Sequence, residues 1–166
     1  MMGPEAFSRL VDEHTGALVL YARQWCSAPE DVVQEALLKL VAQRKSPDHP
    51  VAWLYRVVRN AAISAARSAQ RRRHHENVAA SKAQSWFIPS EAHGLDVESA
   101  TAGLRELPLE QREIIVAHLW GGLTFEQIAQ VAGCSSSTAH RRYLEGLLAL
   151  REKLEKPCPS QPPIRS

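Results

Sequence analysis

The chain has 166 residues, a net charge of +2 and three widely separated cysteines with no CxxC pair. This length allows one domain with a substantial core or two small ones, and the cysteine pattern indicates neither a disulfide framework nor a zinc site. Since no apolar run approaches the ~20 residues of a membrane span and the first ten residues do not resemble a signal peptide, we expect a cytoplasmic protein with no membrane insertion, no metal and no other cofactor.

Apolar residues recur at spacings of three and four nearly throughout, and strand alternation is absent, which predicts an all-α fold. The predicted helices lie near 4–26, 29–44, 51–72, 97–106, 109–120, 124–132 and 136–155.

Charge and proline patterns divide these helices into two small domains joined by a linker, the second domain being a helix-turn-helix. The predicted units are a helical domain (1–74), a flexible acidic linker (75–99), a helix-turn-helix domain (100–155) and a disordered Pro-rich tail (156–166).

The helix at 29–44 carries two stripes. Its core stripe is expected to consist of Val33, Ala36, Leu37, Leu40 and Val41. A second stripe at i, i+3, i+4 and i+7 places acidic and amide side chains around one leucine, a composition typical of a protein interface as well as of a solvated face. Its members are Asp31, Gln34, Glu35 and Leu38.

The helix at 51–72 is basic. Residues 50–75 hold six arginines and no acidic residue, which indicates a binding surface for a polyanion, with a solvated helix face as the alternative. One stripe is long enough to follow a nucleic-acid backbone, and three more arginines continue it. The residues are Arg56, Arg59, Asn60, Ile63 and Arg67, followed by Arg71, Arg72 and Arg73.

The strongest local pattern begins at Thr124, which forms a capping box with Gln127 at the start of a short helix. Gly133 can adopt a positive φ for a tight turn, and Ser135 or Ser136 can cap the helix that follows. Ala139, Tyr143 and Leu147 are expected on the buried face of that helix, with Leu144, Leu148 and Leu150 extending its apolar side. Ser136, Ser137, His140 and Arg141 point elsewhere, as DNA-reading residues of a helix-turn-helix do, although an ordinary helical hairpin has the same spacing.

Together these segments resemble the extracytoplasmic-function sigma factors of bacterial RNA polymerase. EDVVQEALLKL (30–40) is similar to the family's polymerase-docking helix, and AWLYRVVRN (52–60) to its promoter-melting helix. LPLEQRE (107–113), WGGLTFEQIA (120–129) and Gly133-Cys134-Ser135 with Thr138 and Arg142 are similar to its upstream-element helix-turn-helix.

The resemblance implies a non-enzymatic protein whose partners are core RNA polymerase and promoter DNA, with an anti-sigma factor as a further candidate. The acidic stripe would bind the polymerase, and the basic stripe would bind the downstream (−10) element and open the strands. The second domain would read the upstream (−35) element through Ser136, Ser137, Thr138, His140, Arg141 and Arg142.

Two positions depart from the family pattern: Ser64 stands where an aspartate is frequent, and Glu145 where a basic residue is common. The linker segment Trp86–Pro89 would pass through the polymerase cleft or pack on one domain. The rival interpretation is a helix-turn-helix regulator that does not bind core polymerase as a sigma subunit.

Overall fold

A computed structural model describes residues 3–76 and 103–155, and within these ranges the chain is helical and contains no strand. The all-α prediction is confirmed. The helices are α1 (Pro4–Ala22), α2 (Pro29–Val41), α3 (Pro50–Glu76), α4 (Leu109–Leu119), α5 (Phe125–Ala132) and α6 (Ser136–Glu155).

The first three helices each begin with a proline, whose fixed φ suits the first helical turn, where its missing N–H costs nothing. The predicted ends were less accurate than the starts. α1 and α2 end at Ala22 and Val41, several residues early, because Arg23 to Trp25 and Ala42 form turns. α3 runs on to Glu76, since Arg and Gln sustain a helix after its apolar periodicity has ended.

In the first region, residues 3–76, α1, α2 and α3 pack against one another around fully buried Leu18, Tyr21, Leu54 and Val58. The predicted core stripe of α2 was wrong at Val41, which is 56% exposed at the end of the helix.

In the second region, residues 103–155, α4, α5 and α6 surround Ile115 and Ile128. Leu144 and Leu148 were predicted to extend the apolar side of α6, but they are 46% and 62% exposed. α6 approaches α4 through Gly146 instead, where an added Cβ would lie 2.7 Å from Ile115 Cδ1. This close approach turns the two leucines away from the core.

The two regions also contact each other. α1 packs against α4, and α3 against α5, so that buried residues of both regions form one continuous cluster. Gly121, just after α4, lies so close to α3 that an added Cβ would be 2.5 Å from the Tyr55 hydroxyl oxygen. The division into two domains remains a prediction. Most of the predicted linker, including Trp86–Pro89, most of the predicted helix 97–106 and the Pro-rich tail lie outside the described residues.

Candidate nucleic-acid interface

The predicted interface stripe of α2 lies together on the surface. Asp31, Gln34 and Glu35 are exposed, and Leu38 at their centre is 63% exposed. Glu35 forms an i,i+4 ion pair of 2.8 Å with Lys39, so the rim is not purely acidic. Together with exposed Val41, Leu38 gives this face an apolar centre that the sequence pattern only partly predicted.

The basic stripe of α3 is exposed along most of its length. Arg56, Asn60 and Arg67 face solvent, and exposed Ser64 lies between them on the same face. Ile63 is half-buried and lies at the edge of this face. Arg71, Arg72 and Arg73 are exposed in the last turns, where Arg71 Nη2 donates to Ser68 Oγ at 3.1 Å.

Arg59 differs from the rest of this stripe. Its side chain is only 24% exposed, and its guanidinium lies 5.8 Å from the centre of the Trp25 ring. Its Nε donates to Glu113 Oε1 at 2.5 Å, and its Nη2 donates to Oε2 at 3.4 Å. In this arrangement Arg59 is therefore not exposed with its neighbours, because a carboxylate of the second region engages it.

The Glu113 carboxylate shifts the pKa values of two side chains, Tyr21 and Arg59. The Tyr21 hydroxyl donates to Glu113 Oε1 at 2.8 Å, and burial, followed by the nearby Glu113 charge, raises the pKa of Tyr21 well above its usual value. Burial alone would lower the pKa of Arg59, but its hydrogen bond and Coulombic attraction to Glu113 outweigh burial and raise it. Tyr21 and Arg59 thus remain neutral and charged, respectively, across the physiological range.

The helix-turn-helix forms as predicted. Thr124 Oγ1 accepts from the Gln127 N–H at 3.3 Å, while Gln127 Oε1 accepts from the Thr124 N–H at 3.0 Å, completing the capping box. Gly133 ends α5 in the left-handed region with φ of 70°. Of the two candidate caps for α6, Ser135 is the one used, since its Oγ accepts from the Thr138 N–H at 3.1 Å.

At the tip of α6, Ser137, His140 and Arg141 are exposed. The His140 ring packs edge-on against Phe125 at 5.0 Å, which fixes its direction. Arg141 lies 3.8 Å from Glu145, an exposed i,i+4 pair that leaves the guanidinium accessible.

The other predicted members of the tip are partly buried: Ser136, Thr138 and Arg142. The Thr138 hydroxyl pairs with Ser135 Oγ at 2.8 Å, and Ser136 Oγ donates to Glu126 Oε1 at 3.4 Å. The hydroxyls of Ser136 and Thr138 thus serve the structure of the turn. The hydrogen bonds at the start of α5 also lower the pKa of Glu126, chiefly through backbone N–H and the Thr124 hydroxyl.

Within residues 3–76 and 103–155 no group of three or more His, Cys, Asp or Glu side chains could hold a metal ion. None of the helices in those ranges is long and apolar enough to cross a membrane.

Comparison with known families gives two matches in the order that the sequence predicted. The Sigma-70 region 2 family matches residues 10–72, and the Sigma-70 region 4 family matches residues 98–150. The acidic and basic stripes fall in the first match, and the helix-turn-helix falls in the second.

Curated relatives cover most of the chain. It is 32% identical over 161 residues to the ECF RNA polymerase sigma factor SigL of Mycobacterium tuberculosis. This match covers 89% of this chain and 88% of SigL. It is also 32% identical over 117 residues to the ECF RNA polymerase sigma factor EcfG of Rhodopseudomonas palustris. That second match spans 68% of this chain and 64% of EcfG, under two thirds of its length.

Two solved structures share the fold. The sigma factor RpoE in complex with the anti-sigma factor NepR from Bartonella quintana matches with a TM-score of 0.71 and 25% identity, covering 92% of this chain and 98% of RpoE. CnrH, solved in complex with the cytosolic domain of CnrY, matches with a TM-score of 0.59 at 22% identity, over 94% of this chain and 92% of CnrH.

Proposed function

Because the chain belongs to the extracytoplasmic-function sigma factors of RNA polymerase, we propose that three exposed helical faces divide the work of transcription initiation. The α2 face binds core RNA polymerase. The exposed stripe of α3 captures the unpaired downstream promoter element, and the tip of α6 reads the upstream element.

The observation that carries the polymerase assignment is the α2 face. A leucine that is 63% exposed, surrounded by Asp31, Gln34 and Glu35, combines an apolar centre with a polar rim. Protein interfaces have this composition, and the carboxylates add selectivity for a basic partner surface. The function needs such a surface because a sigma factor acts only as a subunit of the polymerase.

On α3, Arg56, Asn60 and Arg67 form the part of the stripe suited to a displaced strand. Strand opening here involves no covalent step; unstacking costs a few kcal/mol per base step and is offset by capture of bases and by phosphate contacts. The exposed arginines at the end of α3 supply sequence-independent phosphate contacts.

On α6, Arg141 can form a bidentate bond with a guanine edge or contact a phosphate, and Ser137 is short enough to allow close approach. The N-terminal end of a helix also favours phosphate through its unpaired N–H groups. The Gly133 turn and the Ser135 cap set where this end of α6 begins.

Two broader features complete the proposal. We place the protein in the cytoplasm as a non-catalytic regulatory subunit, where polymerase and chromosomal DNA are available to it. An anti-sigma factor is a further partner, by analogy with RpoE and CnrH, which were solved with NepR and CnrY, respectively.

The first test is core-polymerase binding by pull-down, followed by run-off transcription. The double charge reversal Asp31→Lys with Glu35→Lys should abolish both while leaving the helicity unchanged by circular dichroism. A matched control, Asp12→Lys with Glu13→Lys, changes the net charge equally at exposed positions of α1 and should bind normally.

The rival interpretation, a helix-turn-helix regulator that is not a sigma subunit, predicts the opposite result. It would bind duplex DNA through α6 without core polymerase, and the α2 charge reversal would leave its activity unchanged. Undiminished polymerase binding by the α2 variant would overturn the assigned docking face.

A further inference from the structure

Four aromatic side chains of the second region meet at the start of α5. The Phe125 ring stacks on His118 of α4, with ring centres 4.5 Å apart and an angle of 21° between their planes. Tyr143 of α6 meets both rings at steep angles, 4.9 Å from His118 and 5.4 Å from Phe125. His140, about one turn earlier on α6, packs edge-on against Phe125 at 5.0 Å and 81°. Of the four only His140 is exposed, and we refer to His118, Phe125 and Tyr143 as the aromatic support.

Hydrogen bonds hold the aromatic support in place. The Thr124 capping box sets the first turn of α5, so that Phe125, the first residue of that helix, has a defined position. His118 Nδ1 lies 2.8 Å from the Leu123 carbonyl oxygen, and because a carbonyl oxygen can only accept, Nδ1 carries the proton and donates it. The aromatic support is thus tied to α4, to the loop before α5 and to α6.

Burial does not fix the direction of the His140 side chain. An exposed side chain samples several rotamers and loses that freedom when it binds a ligand. The contact with Phe125 restricts the rotamers before DNA arrives, because aromatic pairs prefer edge-on or offset geometries. His140 also lies one turn after Ser137 and next to Arg141, both of which are exposed. Its imidazole therefore belongs to the face of α6 that is proposed to read the upstream element.

An imidazole and the major-groove edge of a purine are chemically matched. The imidazole of His140 carries an N–H donor in either protonation state. Adenine and guanine both present N7 as an acceptor in the major groove, whereas cytosine presents an amino donor and thymine presents O4 beside a methyl group. A donor that is held in one direction can therefore favour a purine over a pyrimidine at one base pair.

We propose that His140 selects a purine at one position of the upstream element, and that Phe125 and, through it, His118 are positioning residues that aim its imidazole. This inference deepens the proposed function of α6 and rests on it. Without the Phe125 ring the imidazole is still present but must be ordered on the DNA, which costs conformational freedom. Discrimination at that base pair then falls, while the other contacts of α6 persist.

The test uses holoenzyme assembled from the full chain and core RNA polymerase, with a pool of promoter duplexes whose upstream element is randomised. Sequencing the bound and unbound fractions gives the relative affinity for each base at each position. His140→Ala removes the imidazole. Phe125→Leu removes the ring but keeps an apolar side chain, and Phe125→Tyr keeps the ring. Val131→Ala is the matched control, because it loosens α5 at a buried position that takes no part in the ring contacts.

The wild type should favour a purine about fivefold at one position, as for a single net hydrogen bond. His140→Ala should abolish this preference and leave the other positions unchanged. Phe125→Leu should reduce it to about twofold, since the side chain must then be ordered on binding, and Phe125→Tyr should restore it. Adding Phe125→Leu to His140→Ala should change nothing further, because the two residues act as a unit. Val131→Ala should keep the full preference although it lowers the stability.

His118→Asn separates the ring stack from the hydrogen bond, because the asparagine amide can still donate to the Leu123 carbonyl oxygen. This variant should weaken the purine preference in the same direction as Phe125→Leu. It decides the question where circular dichroism shows that Phe125→Leu is not folded.

If no position loses a purine preference in His140→Ala, the assignment of His140 is overturned. A full preference in folded Phe125→Leu or His118→Asn would overturn the positioning role of the residue concerned, and an equal loss in Val131→Ala would reduce both to structural residues. Failure of the proposed function gives a different result, since the wild-type holoenzyme would then show no base preference at any position of the upstream element.

Discussion

The two helices proposed to contact DNA, α3 and α6, present their polar residues in different ways. The tip of α6 presents Ser137, His140 and Arg141 within two turns of its cap, and all three are exposed. The stripe of α3 extends over several turns, and one of its members, Arg59, is turned to a carboxylate of the other region. The placement of the α6 residues is thus set by their own cap and turn, where Ser136 and Thr138 also form hydrogen bonds, whereas the placement of Arg59 on α3 depends on a distant residue.

The difference has a physical origin. Residues near a helix start are positioned by the cap and the preceding turn, which are local in sequence. A long helix that crosses a domain can meet distant segments anywhere along its length. Periodicity assigned Arg59 to the same stripe as Arg56, but it contains no information about a partner 54 residues away.

The largest expected effect tests whether the two regions share one core. Leu54→Ala on α3 and Ile128→Ala on α5 remove fully buried side chains, and each should lower the free energy of unfolding by about 2–5 kcal/mol. Because both residues belong to one buried cluster, each variant should shift a single cooperative transition measured by calorimetry.

Leu148→Ala is the control for those variants, since this leucine is 62% exposed and its loss should change the stability by less than about 0.5 kcal/mol. Two separate transitions, each sensitive to only one of the core substitutions, would show that the regions unfold independently and that their contact contributes little.

The second prediction assigns different roles to the two ends of the α3 stripe. Arg56→Ala combined with Asn60→Ala should suppress strand opening in the holoenzyme by about tenfold or more, because these residues face the proposed path of the captured strand (about 1.4 kcal/mol per tenfold change). Permanganate footprinting of unpaired thymines measures opening, while gel-shift titration of the closed complex should change little.

Alanine at Arg71, Arg72 and Arg73 should instead lower promoter affinity more than strand opening. Losing phosphate contacts weakens overall promoter affinity and makes the dependence of log K on log salt shallower by up to about 3. If both sets of variants lose affinity and opening in the same proportion, α3 is one undivided electrostatic contact.

Much of this fold follows from sequence. The capping box at Thr124, the positive φ of Gly133 and the starts of α2 and α4 depend on neighbouring residues, so local rules predicted them. The exposure of Leu148 was not predicted, because it depends on the close approach of α4 at Gly146. Glu113 was noted only as part of a family-like segment, since a lone glutamate carries no signal of burial or of a partner in another region.

The third prediction concerns α6. Arg141→Ala should weaken upstream-element binding by about 1–3 kcal/mol and relax specificity at one base pair if it contacts a base edge. If Arg141 contacts only phosphate, all sequences should weaken alike and the salt dependence should fall by about one unit. Competition titrations against single-base variants of the promoter distinguish these outcomes, and no change of either kind would remove Arg141 from the interface.

Glu145→Ala provides the matched comparison, because it removes the exposed carboxylate that lies 3.8 Å from the Arg141 guanidinium. It also removes a negative charge from the helix that is proposed to contact DNA. DNA binding should tighten slightly, within about 0.5 kcal/mol, as expected for an exposed i,i+4 pair. Weaker binding would mean that Glu145 orients Arg141 for recognition.

The fourth prediction tests the local origin of the α6 surface. Ser135→Ala removes the cap whose Oγ accepts from the Thr138 N–H, and this should lower the stability by about 1 kcal/mol. Ser137→Ala makes the same chemical change at an exposed position inside α6 and should leave the stability nearly unchanged. Urea unfolding measures the difference in stability between the two variants, provided that the free energy of unfolding has the same slope against urea concentration in both. Because the cap sets where α6 begins, Ser135→Ala should also weaken upstream-element binding beyond what reduced stability explains. Equal losses of DNA affinity in both serine variants would show that α6 is positioned by its packing on α4 rather than by its cap.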